Sequence, residues 1–453
     1  MRTLVIAGLL ATAPAVASAE PQTWLLTVDR WGNAEHIVLI ADTDHGQVSG
    51  ELNGWPVTGR AQGSSLSLTA TDTHGVAYRF EGRLSGREFV GSADYPDTSN
   101  TGTRATHAFR GLRLEMPEGP PGPRVYAPTA FSNTFTADLA PVMVIQPGDI
   151  VSTRTVDSGG IDEHGQVVAL YGNPQTGPFF VTGAKSGDVL AVHIRRLRLN
   201  RDYADSLDGL TGRATSIGLA SQASGLGARV RWRLDRQSGT ARLDAPPENL
   251  KDYVVPVRPM LGGLGVAPDF GIPAQSAGDT GRWGGNMDFN QIGEGATVYL
   301  PVFQPGAMLF LGDGHALQGD GETTQWALET SLDVEFSVEL LPRRLMAAPR
   351  IGTAGPIAVP GQAGSLGGGG RSATETKKRT PRREDGLSVS EASLILGTAA
   401  EYRVATLAGR NAGMALSLDK AMLRDVGSRR QARTSPTVAA PAADRSPTSR
   451  STS

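Results

Sequence analysis

Apolar and polar residues alternate over eight short stretches near the start of the chain: 23–29, 36–41, 47–52, 57–61, 65–71, 76–84, 88–93 and 106–114. A period of two puts successive side chains on opposite faces of a strand, one face buried and the other wet. Asp44-His45-Gly46, Asn53-Gly54 and Thr73-His74-Gly75 supply turns between these stretches. Eight strands at this spacing predict a small antiparallel β barrel or sandwich over residues 20–115. Its histidines, His36, His45, His74 and His107, are scattered and read as turn or surface residues.

The proline- and glycine-rich run Met116-Pro117-Glu118-Gly119-Pro120-Pro121-Gly122-Pro123 breaks the pattern and predicts a stiff linker over 116–124. Strand-length apolar runs resume over 125–351, so the second domain is also mainly β. Two of its turns share one pattern, Gln146-Pro147-Gly148-Asp149 and Lys185-Ser186-Gly187-Asp188, in which the aspartate caps the turn. Over 352–385 the sequence becomes glycine-rich and then basic, a composition that buries little and predicts disorder. Helical spacing returns over 386–424, with Ser388 or Ser390 as N-cap and Glu391 in the first turn. The Ser/Thr/Pro/Arg tail, 425–453, predicts disorder.

Composition narrows the function. Arg2, the apolar run 4–11 and Ala17-Ser18-Ala19 read as a signal peptide over 1–19, hence an exported protein, periplasmic or secreted. No later stretch reaches the roughly 18 apolar residues of a membrane span. A net charge of −2 gives no reason to expect nucleic acid as a partner. The absence of cysteine excludes a thiol nucleophile and Cys-ligated zinc.

The densest polar run is Gly312-Asp313-Gly314-His315-Ala316-Leu317-Gln318-Gly319-Asp320-Gly321-Glu322, followed by Glu329. Its glycines let the backbone fold tightly, so that carboxylates and an imidazole can converge. Calcium is compatible with the acids, but a histidine favours a transition metal or acid–base work. Trp283-Gly284-Gly285-Asn286-Met287-Asp288 forms a second cluster, with Asn286 and Asp288 on one face of an extended segment. Asp157 ends an apolar strand, and Asn173 opens the run Asn173-Pro174-Gln175-Thr176-Gly177-Pro178. Each of these aspartates could equally be capping a glycine turn. His193, in an alternating strand, reads as a surface residue or one supporting a site from behind.

These runs, with Gly183-Ala184-Lys185-Ser186-Gly187-Asp188, Pro259-Met260-Leu261-Gly262, Gly265-Val266-Ala267-Pro268 and Tyr299-Leu300-Pro301-Val302, resemble the acetamidase/formamidase family. The similarity covers roughly 127–351 and again 386–424. It implies a β-rich two-layer core and hydrolysis of short amides to acid and ammonia, with a divalent metal, commonly zinc. Carried over to this chain, it implies Asp157, Asp288, His315 and Glu329 as metal ligands. It further implies Glu322 and Asp320 as catalytic groups, with Asn286 and Gln318 at the substrate; the run opened by Asn173 could also present backbone amides beside the substrate. A cyclic or larger amide such as a lactam, or a binding protein on the same fold, are the alternatives, and self-association stays open. The family continues helically where this chain has 352–385, so that segment reads as an insertion, a replacement or a frameshift. The domain over 20–115 is extra to the family pattern.

Overall fold

The computed structural model describes residues 21–100, 102–344, 346–384 and 387–423. The expected signal peptide over 1–19 and the expected disordered tail over 425–453 lie outside these residues.

The eight alternating stretches form one closed antiparallel barrel, running from Gln22–Arg30 to Arg104–Arg113. Closure comes from pairing of the first strand with the last, Trp24 opposite Arg113 through Val28 opposite Phe109. Inward positions fill the interior with Trp24, Leu26, Phe80, Phe89 and Phe109, so the barrel is packed with its own side chains. His36 and His107 are buried, not surface residues as the sequence led us to expect. His107 packs edge-on against Trp31 and Tyr95 at one mouth of the barrel. His36 faces the second domain, 3.3 Å from Asp138; burial holds its pKa below the usual imidazole range, with Asp138 opposing and Arg110 adding to the shift.

The barrel is docked, not tethered. Leu25 on its outer wall and Leu114 beyond its last strand join Phe135, Phe180, Met308 and Phe310 in one buried cluster, with Val38 packed against it. The linker also contributes structure. Pro123 and Arg124 lie in the edge strand Pro123–Val125 of the large sheet, and Gly122 donates its N–H to Asp149.

The second domain is two packed sheets and a side sheet. The larger has nine strands, with Val189–Leu199 and Leu332–Leu341 paired side by side in its interior. The smaller has six, in the order Met143–Ile145, Gln175–Val181, Leu309–His315, Met260–Gly265, Gly284–Asn286, Thr280–Gly281. Phe179, Leu309 and Leu311 from the smaller sheet meet Leu190, Val298 and Phe336 from the larger in the main core. The strands Tyr203–Leu207, Arg229–Asp235, Thr240–Leu243 and Val254–Pro256 form the side sheet. Asp149 and Asp188 cap their turns as read, accepting from Gln146 N–H and Lys185 N–H.

Residues 352–385 correct the sequence reading. Pro356–Ala363 is an interior strand of the large sheet, paired along its length with Ala412–Asp419. Leu366–Glu384 is a helix lying over it. The glycines that suggested disorder are the contact surface: Gly361 meets the backbone of Gly369 and Ala373, leaving no room for a side chain between strand and helix. The helix Val389–Ala399 follows, opened by a capping box between Ser388 and Glu391. Among the described residues no helix is long and apolar enough to cross a membrane.

Candidate active site

The strand Leu309–His315 runs through the middle of the smaller sheet and delivers Asp313 and His315 to its end. Two strands over in the same sheet, Gly284–Asn286 turns sharply after Asn286 to present Asp288. A bridge between His315 and Glu329 closes the loop that carries Glu322. Asp288, His315 and Glu322 offer ligand atoms within 4.8 Å of one another, and so do Asp313, His315 and Glu329. All five side chains are buried.

The backbone is bent to achieve this. Asn173, Asp288, Asp313 and Glu322 have φ of +59°, +42°, +58° and +43°, a region that costs a non-glycine residue about 1–3 kcal/mol and gathers at functional sites. Gly262 faces the cluster from the next strand; a Cβ there would lie 2.5 Å from Asp313 Oδ2 and 2.6 Å from Asp288 Oδ1. The glycine is therefore part of the site, because any side chain would occupy the carboxylates' space.

His315 is oriented from both sides. Its Nδ1 lies 2.9 Å from Gln318 Oε1, and Gln318 is itself pinned by donating to the carbonyls of Asp288, at 2.6 Å, and Ala405. Since that amide oxygen can only accept, the proton sits on Nδ1. Nε2 then faces Glu329 Oε1 at 3.3 Å and Asp313 Oδ1 at 3.5 Å.

Burial and neighbouring carboxylates both disfavour the ionised form of a carboxyl. Burial, and then the neighbouring Asp313, pushes Asp288 well above the usual carboxylate range. Burial, and then Asp288, does the same to Glu322, and burial raises Glu329. For His315 burial works against the charged form, but Glu329 and Asp313 outweigh it and raise the pKa. Asp288 Oδ1, Asp313 Oδ1 and Glu329 Oε2 are buried with no hydrogen-bond partner.

The other residues singled out in the sequence fall elsewhere or serve differently. Asp157 is not in the cluster: Oδ2 accepts from buried Arg201 at 2.6 Å, and Oδ1 accepts from Gly159 N–H and Ile161 N–H. Both oxygens are spent on an ion pair and a turn, so its assignment as a ligand is withdrawn. Asp320 is half-exposed and paired with Arg403 and Asn290, which removes it from the chemistry. Gln318 supports His315 and does not line the cavity. Asn173 and Asn286 do line it, yet their amide hydrogens go to the carboxylates and, from Asn173, to Asn286 as well. Asn173 Nδ2 donates to Asp313 and Asn286 at 2.7 Å, and Asn286 Nδ2 donates to Asp288. His193 pairs with Thr297 Oγ1, on the large sheet.

Sequence reasoning missed Asp313 as a full member of the cluster, though its flanking glycines marked the turn. It also missed Arg201, which donates to the carbonyl of Glu329 as well as to Asp157; nothing in the local sequence signals it.

Comparison with known proteins bears out the family resemblance. Residues 276–417 match the sequence profile of the Acetamidase/Formamidase family. A predicted formamidase of Schizosaccharomyces pombe is 54% identical over 39 residues, which is 9% of this chain and 10% of that protein. A crystal structure of a predicted acetamidase/formamidase from Thermoanaerobacter tengcongensis superposes with a TM-score of 0.58 at 26% identity. That match covers 68% of this chain and 98% of the other. An acetamidase from Yersinia enterocolitica gives a TM-score of 0.58 at 25% identity, covering 67% and 94%.

Proposed function

We propose that this chain, which resembles the acetamidase/formamidase family in sequence and in fold, hydrolyses short aliphatic amides to a carboxylic acid and ammonia. The observation that carries the reading is the buried cluster of His315 with Asp288, Asp313, Glu322 and Glu329 beside a small cavity.

A divalent cation fits this cluster. Three buried carboxylate oxygens lack partners, and unpaired buried carboxylates are costly unless a cation or proton meets them. An imidazole among carboxylates suits zinc better than calcium. His315, Asp313 and Glu329 would hold the ion, with Asp288 beside them. When bound, such an ion polarises the amide carbonyl and makes water a better nucleophile near neutral pH. Gln318 keeps Nε2 of His315 free to ligate. Glu322, whose Oε2 accepts from Thr406 Oγ1 at 3.0 Å, is the general base. From there it can take the proton of the attacking water and pass it to the departing nitrogen. Export to the periplasm or medium is part of the proposal, supported by the pattern of residues 1–19.

The test is ammonia release from formamide and acetamide by the full-length protein and two variants. Glu322→Gln should slow turnover about 10²–10⁴-fold, and His315→Ala should lose it, in protein whose circular dichroism matches wild type. Turnover near wild type in both would reject the site.

A further inference from the structure

We propose that Trp326 and Tyr171 set the length of carbon chain the site admits, confining substrates to amides with very short acyl groups. The inference rests on the amidase reading above and names its specificity determinant.

The cavity beside the acidic cluster is about 70 Å³, far below the ~300–1,000 Å³ of sites that take drug-sized ligands. Its polar side is the cluster itself. Tyr171 and Trp326 are the aromatic side chains on its lining, which Ser158, Gln325, Gly278, Ala408 and Gly409 complete. The two rings are therefore the largest apolar bodies that an acyl chain leaving the carboxylates meets.

The two rings are placed as a pair. They stand 6.2 Å apart, tilted by 39°, and the indole Nε1 donates to the Tyr171 hydroxyl at 3.4 Å. Each is tied to the site by its backbone. Asn133 donates to the carbonyls of Leu170, Tyr171 and Gly172 at 3.1, 3.3 and 3.1 Å, which fixes the Tyr171 segment. Trp326 lies between Glu322 and Glu329 on a turn whose residue Gln325 has φ +72°. Thr324 Oγ1 holds the Trp326 carbonyl at 2.8 Å, and Glu329 Oε1 accepts the next N–H, of Ala327, at 3.1 Å. The bend that aims Glu322 at the cluster thus also aims the indole over it. One turn places both the general base and one of the two rings.

The experiment compares kcat/KM for acetamide and hexanamide in wild type, Trp326→Ala, Trp326→Phe and Tyr171→Ala. Each methylene accommodated in such a space is worth roughly tenfold or more. The hexanamide-to-acetamide ratio should rise at least about tenfold in the two alanine variants, mainly through KM, and less in Trp326→Phe. Tyr171 is 66% exposed, so its variant keeps the test open if loss of the indole disturbs folding. A ratio within twofold of wild type in both alanine variants, with wild type active on acetamide, would overturn the gate alone. Wild type inactive on every amide would overturn the amidase reading and the gate with it.

Discussion

Buried aspartates divide by what their oxygens can find. Asp157 and Asp313 look alike in sequence, each followed within two residues by glycine at a strand end. Asp157 finds Arg201 and two backbone N–H groups, whereas Asp313 Oδ1 finds no hydrogen-bond partner. Breaking the Asp157–Arg201 pair strands a guanidinium that is only 2% exposed. Asp157→Ala should therefore destabilise the fold by about 3–5 kcal/mol, read as a lower urea midpoint. A stability equal to wild type would show that the pair carries no such role. The sequence could place Asp288, His315, Glu322 and Glu329 as candidates because polar residues among glycines are conspicuous. It could not separate Asp157 from Asp313, because the cation that decides the matter lies 44 residues away for the one, while the other has Asn173 on one oxygen and no hydrogen-bond partner on the second.

Strands are legible where one face is buried and the other wet. That is why all eight barrel strands could be located from alternation. Closure was not legible, since a period of two says nothing about whether Trp24–Val28 will pair with Phe109–Arg113. The stretch 352–385 failed for the opposite reason: its strand and helix use glycine as a surface of contact, and composition counts glycine only as freedom. Gly361→Val tests this. The new side chain would enter the backbone of Gly369 and Ala373, and overpacking of this kind costs about 1–3 kcal/mol. The urea midpoint should fall accordingly; a neutral substitution would mean that the helix is not packed on the strand as described.

In the whole molecule the barrel and the two-sheet domain share apolar surface through Leu25, Leu114, Phe180, Met308 and Phe310, while the candidate site is built wholly from the second domain. The barrel therefore adds a docked body without adding a group to the cluster. What the second domain contributes is a buried excess of carboxylates around one imidazole, and the central claim is that this excess binds a divalent cation and hydrolyses small amides. The most direct measurement is ammonia release from acetamide by the full-length protein before chelation, after exhaustive chelation, and after zinc is returned. Activity that disappears with the metal and comes back with about one equivalent per chain is the predicted result. Full activity in metal-free protein would contradict it.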